Sequence, residues 1–191
     1  MADITLYHAG FDIIPRPDIH FGRKNADFGQ GFYLSRDKDF CKRWAREKRG
    51  FKTILNKYSL SLDGLKIKRL ERGDEWFDYI FANRRSQPDT LAEYDVIIGA
   101  IANDTLFDTM GMTTSGVLNR EISSALLMLG AEYEQTVIKT ELAASRLSFL
   151  GAERLDTDEL ARCKAALRAE EEAFIELFAT ELERLTEAAD T

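Results

Sequence analysis

Three places in the chain hold residues with the chemistry of a reaction centre. His8 ends the alternating run Ile4-Thr5-Leu6-Tyr7-His8, and its imidazole can donate or accept a hydrogen bond at neutral pH. Tyr33 lies in the segment Asp27-Phe28-Gly29-Gln30-Gly31-Phe32-Tyr33-Leu34, an aromatic face among glycines. Glu132-Tyr133-Glu134-Gln135 gathers two carboxylates and an amide. Arg16, Arg23 and Lys24 fall between the first two places. Taken singly, each has an ordinary structural explanation: a strand-end histidine, a packed aromatic, a solvated turn. Other chemistries have no signature here. The sequence has no GxGxxG, Walker loop, GxSxG or HExxH.

The elements that must position these residues can be read from periodicity. Ile4–His8 is a strand ended by Ala9-Gly10, and Gly31–Ser35 a second, with Tyr33 on the face opposite Phe32 and Leu34. Pro15, Pro17, Gly22 and Gly29 make the intervening stretch a loop. Ser35 or Asp37 caps a helix expected to reach about Arg49, with Phe40, Trp44 and Lys48 on one stripe and Lys42, Arg43, Arg46 and Arg49 opposite. Thr53–Leu60, Tyr94–Ile98 (closed by Gly99), Gln135–Lys139 and Leu147–Leu150 read as strands. A short helix capped by Asp74 carries Trp76, Phe77, Ile80 and Phe81, and further helices are expected over Ala102–Met110 and Gly116–Leu129. Asp156 and Glu159 open a last helix reaching about Glu187, with an apolar stripe from Leu160 to Leu185 and a glutamate-rich remainder. Strands and helices mix without regular βαβ alternation, so the fold class is α+β. Two parts follow, 1–155 as the main domain and 156–191 as an acidic amphipathic helix.

Composition narrows the function classes. The 191 residues suffice for one domain with a core. Two cysteines, Cys41 and Cys163, and two histidines, His8 and His20, argue against a disulfide framework or a metal centre, and no metal is expected. The first residues lack the basic and apolar regions of a signal peptide, and no apolar run approaches the ~20 residues of a membrane span, so a cytoplasmic protein without a membrane partner is expected. Residues 1–70 hold 15 Lys and Arg against 8 Asp and Glu, whereas residues 71–191 hold 11 against 25. An anionic ligand therefore belongs with the N-terminal half, and the acidic remainder argues against a general nucleic-acid binder.

Their order makes the isolated signals more informative. Leu6-Tyr7-His8-Ala9-Gly10, the Asp27–Ser35 segment, Trp44-Ala45, Trp76-Phe77-Asp78-Tyr79-Ile80, Asn83-Arg84, Tyr94–Gly99 with Ala102-Asn103-Asp104, and Glu134–Thr140 together resemble the DUF3990 family of ADP-ribosyltransferase-like proteins. The resemblance covers roughly residues 4–150 and leaves out the terminal helix. Ile138 stands where an aromatic is common in the family.

The resemblance implies a split, strongly bent antiparallel sheet that grips NAD, the substrate, between its halves. It assigns the three positions of the superfamily's His-Tyr-Glu set to His8, Tyr33 and Gln135, with Ala9, Gly10, Arg16, Arg23 and Phe32 completing the NAD contacts. His8 would fix the ribose, Tyr33 would stack on nicotinamide, and the basic loop would meet the pyrophosphate. An amide is no base, so Gln135 leaves three readings open: an acceptor activated by another group, use of Glu134 or Glu132, or NAD binding without transfer. Glu134 and Gln135 are adjacent, and in a strand they face opposite ways. The implied protein is a mono-ADP-ribosyltransferase of the kind found as the toxin of a bacterial toxin–antitoxin pair. Its acceptor is a protein, a nucleic acid or a small molecule, and an antitoxin or a second copy is the expected partner. The rivals are a non-catalytic NAD- or nucleotide-binding module and an interaction protein working through its terminal helix.

Overall fold

The computed structural model describes residues 3–45, 48–102 and 108–189. Its elements run β1 (Ile4–Gly10), β2 (Phe32–Leu34), α1 (Lys38–Arg43), β3 (Ile54–Leu60), β4 (Ile67–Leu70), α2 (Asp74–Arg84), β5 (Val96–Ala100), α3 (Thr109–Thr114), α4 (Arg120–Leu127), β6 (Glu134–Ile138), α5 (Glu141–Ser145), β7 (Leu147–Arg154) and α6 (Thr157–Ala189). The class is α+β, with two sheets and a long C-terminal helix. One sheet has the order β1-β3-β7 and the other β2-β6-β5-β4. All pairs are antiparallel except β4 with β5, which the antiparallel expectation did not include.

One core joins the two sheets, and a second packs the far face of the β2-β6-β5-β4 sheet against α2. Phe32, Val96, Ile98 and Ile138 of the second sheet pack with Leu6, Tyr58 and Leu60 of the first. On the opposite face, Ile97 and Val137 pack with Phe28 and with Trp76, Phe77 and Ile80 of α2. The β1–β2 loop has no strand or helix, as its prolines and glycines require, yet it is anchored. The buried Asn56 amide donates to Asp12 O at 3.0 Å and accepts from Ile14 N at 2.9 Å, and the Tyr58 hydroxyl donates to Ile14 O at 2.7 Å.

Several boundaries differ from the periodicity reading. The helix α1 stops at Arg43 instead of Arg49, because Trp44 takes a turn conformation (φ −87°, ψ 1°). Arg46, in the expected remainder, lies outside the described residues. Asp37 is the cap, its carboxylate accepting from Phe40 N at 2.9 Å. Asp74 is the first residue of α2 and Gly73 its cap. Strand β5 continues through Gly99 to Ala100, which pair with Gln135 and Glu134, and glycine fits at 99 because the Leu70 carbonyl lies only 2.7 Å from where a Cβ would stand. Most of the helix expected over Ala102–Met110 falls on residues 103–107, outside the described ones; α3 begins at Thr109 under an Asp108 cap. Asn119 caps α4, which is therefore shorter than Gly116–Leu129. Strand β4 and helix α5 have four and five residues, too few to register as a period.

The helix α6 starts under an Asp156 cap and runs 33 residues. Its stripe packs on the chain's own body. Leu160 joins Phe40, Cys41 and Leu55, while Phe174 and Phe178 join Leu118, Ile122 and Leu126 of the α4 region. Lys42–Glu159 and Arg43–Glu170 ion pairs tie it to α1. Ile175 and Leu177 stay exposed. No described helix is long and apolar enough to cross a membrane. Among the described residues, no three His, Cys, Asp or Glu side chains group to hold a metal ion.

Candidate functional site

The two sheets meet at a pair of backbone bonds between β1 and the residue after β2: Tyr7 N to Ser35 O at 2.8 Å and Ser35 N to Tyr7 O at 3.0 Å. One residue further along β1, a side chain takes over from the backbone. His8 Nδ1 lies 2.8 Å from Tyr33 O. A carbonyl only accepts, so Nδ1 carries the proton and Nε2 is left as an acceptor. Among the described residues Nε2 has no partner. Burial pulls the imidazole below its ordinary value, and the bond to Tyr33 O offsets only part of this. His8 is therefore neutral at pH 7.

That shift has a testable sign. The unfolded chain binds the proton first as pH falls, so the stability from His8 is complete above about pH 6.5 and is lost on acidification toward the lowered folded value. Thermal melts of wild type should fall more steeply below about pH 6.5 than those of His8→Asn, and parallel curves would contradict the assignment.

Tyr33 is locked by the loop before it. Its hydroxyl donates to Gly29 O at 2.7 Å and accepts from Phe28 N at 3.0 Å. The same turn is held from α2, where Arg84 pairs with Asp27 at 2.7 Å and Asn83 Nδ2 donates to Asp27 O at 3.1 Å. Lys139, the residue after β6, closes it, donating to Phe28 O and pairing with Asp89 at 2.9 Å. Burial raises the phenol far above its usual range, so Tyr33 stays protonated and offers a ring face, not a base.

Strand register puts Gln135 on the Tyr33 side. Tyr33 pairs with Val137 on β6, and Gln135 lies two residues along the same face. Glu134 faces the other way, exposed, with Arg69 at 3.3 Å, and it borders a different hollow together with Glu132. Neither Glu134 nor Glu132 is among the described residues that border the hollow lined by His8, Tyr33 and Gln135. Gln135 is 8% exposed and its Nε2 has no hydrogen-bond partner among the described residues.

His8, Ala9, Tyr33 and Gln135 border one cavity of about 330 Å³. No carboxylate is among its described lining residues. Cys41 is, but burial raises its thiol to about 12 and it donates to Tyr7 O, so it is no nucleophile. Gly10 adjoins the site, since a Cβ there would stand 3.3 Å from His8 Nε2 and crowd the imidazole. Phe32 does not enter it. Phe32 faces the first core, with its ring 4.6 Å from that of His8. Arg16, Arg23 and Lys24 are exposed in the β1–β2 loop and do not border the cavity, although the Arg23 charge acts on the Tyr33 phenol. Trp44, Phe40 and Ile101 also line the cavity and were not anticipated there. The Trp44 Nε1–H is buried without an acceptor among the described residues.

Compared with known families, residues 4–149 match the family described as Protein of unknown function (DUF3990). The chain belongs to DUF3990. No curated protein matches it. The matched segment contains the DUF3990 motifs read from the sequence, and the structure gives three of them one task. Asp27–Gly29, Asn83-Arg84 and Lys139 form the buttress behind Tyr33. Asn103-Asp104 lie outside the described residues. The helix α6 lies beyond the family match.

Proposed function

We propose that this DUF3990 chain binds NAD in the cavity bordered by His8, Tyr33 and Gln135, and that it is an ADP-ribosyltransferase-like enzyme that passes the ADP-ribose unit to an acceptor. One observation carries the reading. A neutral imidazole with a free acceptor nitrogen and a buried amide with an unpaired donor border the same cavity as a clamped aromatic ring. Hydroxyls of a ribose match both: one can donate to His8 Nε2, and an oxygen can accept from Gln135 Nε2. The Tyr33 ring suits the flat nicotinamide, which is cationic until it leaves. The space kept by Gly10 leaves the strand end open to a carboxamide. NAD supplies a glycosidic bond whose cleavage places positive charge on the ribose and releases neutral nicotinamide.

What the residues do is bind and orient. With no carboxylate among the described lining residues, Gln135 holds the ribose and takes no proton. The same lining favours the second reading, a module that binds NAD without turning it over. Nicotinamide release separates the two. Gln135→Glu should keep or raise the rate, and Gln135→Ala should lower it by about tenfold or more, the loss expected for one orienting hydrogen bond to a developing charge. Saturable NAD binding with no release by wild type or Gln135→Glu would select the module. Unchanged kinetics in Gln135→Ala would remove Gln135 from the site. The toxin–antitoxin setting rests on the family resemblance alone.

A further inference from the structure

The NAD cavity shares a wall with a second hollow. Phe40, Trp44 and Ile101 border both. Beyond them lies a compartment of about 240 Å³, closed by Tyr133 and by Leu167, Phe174 and Leu177 of α6. It is smaller than the usual pocket for a drug-sized ligand, so it has room for one ring system and not for a dinucleotide. One side is aromatic, with Phe40 and Tyr133 stacked at 4.7 Å between centroids, and the other is largely aliphatic. Half of the enclosure comes from a helix outside the family match.

Its polar groups are few and specific. The Trp44 Nε1–H is a buried donor with no acceptor among the described residues. Glu170 is already engaged, accepting from the Tyr133 hydroxyl at 2.8 Å and facing Arg43 Nε at 3.4 Å. Glu171 also borders the compartment and has no partner among the described residues. Trp44, which carries the unpaired donor, and Glu171 therefore border the same compartment as the flat apolar faces. A ligand that satisfies them is planar, accepts one hydrogen bond in its plane and donates another.

We propose that this compartment binds an amino-bearing heteroaromatic ring of the adenine type, with a ring nitrogen accepting from Trp44 and the exocyclic amino group donating to Glu171. Two sources share that chemistry: the adenosine half of NAD itself, or a separate adenine-bearing acceptor. Only the first source rests on the NAD reading; the preference of the compartment for such a ring does not. A polymeric nucleic acid is a poor source, because the flank of α6 beside the compartment is rich in glutamate.

Calorimetric titration of the full chain with adenosine tests it. Wild type should bind adenosine, and uridine at least about tenfold more weakly. Trp44→Phe keeps the ring and removes the N–H, and it should weaken adenosine by about tenfold; Glu171→Ala should do the same. Glu172→Ala, on an exposed neighbour that does not border the compartment, should change nothing. Absence of adenosine binding, equal affinity for uridine, or unchanged affinity in either Trp44→Phe or Glu171→Ala overturns the proposal. Repeating the titration on NAD-saturated protein assigns the source: lost binding means the ring is NAD's own, and retained binding means a separate acceptor. If adenosine binds while NAD does not, the NAD reading falls and this site stands.

Discussion

Replacing Gly31 with alanine is expected to destabilise the fold by about 3 kcal/mol and to weaken NAD binding with it. A Cβ at this position would stand 2.6 Å from Ile138 O and 2.7 Å from Val137 Cγ1, far inside contact distance. One of the two clashing atoms is backbone, so a rotamer change in Val137 cannot relieve the strain. The strand that must move instead is β2, which has only three residues, all paired with β6. On its other side the loop is equally close, since a Cβ at Gly22 would meet Gly31 O at 2.5 Å. Moving β2 shifts Tyr33, and with it the carbonyl that His8 holds. Urea unfolding measures the first effect, and a midpoint unchanged from wild type would show that β2 does not sit on β6 as described.

The second large effect is expected at Lys139, a residue with no place in the cavity. Its side chain is 6% exposed, and it pairs with Asp89 and donates to Phe28 O. Lys139→Met leaves a partly buried carboxylate without its cation and a buried carbonyl without its donor. Breaking a buried pair costs about 3–5 kcal/mol, and because the Asp89 side chain is 26% exposed, the lower figure of about 3 kcal/mol applies. Burial pushes the Asp89 carboxyl up, but hydrogen bonds from Lys139 and Tyr79 outweigh it and hold the group below its ordinary value. The stability this pair contributes is therefore present at neutral pH and is lost as pH falls through the lowered folded value. Adding Asp89→Asn to Lys139→Met should recover part of the loss, because it removes the stranded charge. A double variant no more stable than the single one would show that the damage lies in the Phe28 contact.

The sequence carried the class of fold and the sites of its first strands because alternation and glycine punctuation act locally. Tyr33 opposite Phe32 and Leu34 follows from the period of a strand. So does the separation of Glu134 from Gln135, which the Arg69 contact shows directly. What periodicity could not supply was contact across the chain. Phe32, adjacent to Tyr33 in sequence, is a core residue because its face of β2 packs against Leu6 and Tyr58 of the first sheet. Trp44 shared a stripe with Phe40 in the helical reading, and the early end of α1 instead sets it in the wall of the cavity. Lys139 looked like the polar end of a strand, and its role depends on Asp89 and Phe28, 50 and 111 residues away in sequence. The motif residues Asn83 and Arg84 could be matched to a family by order, but their task, holding Asp27 behind Tyr33, requires coordinates.

The most direct measurement is calorimetric titration of NAD into wild type and His8→Ala at neutral pH, with circular dichroism confirming that the variant is folded. Saturable binding to wild type is expected, weakened by about 1–3 kcal/mol in His8→Ala through loss of the Nε2 acceptor and of the bond that fixes Tyr33 O. No heat from wild type, or equal affinity in a folded His8→Ala, would contradict the placement of NAD between these strands.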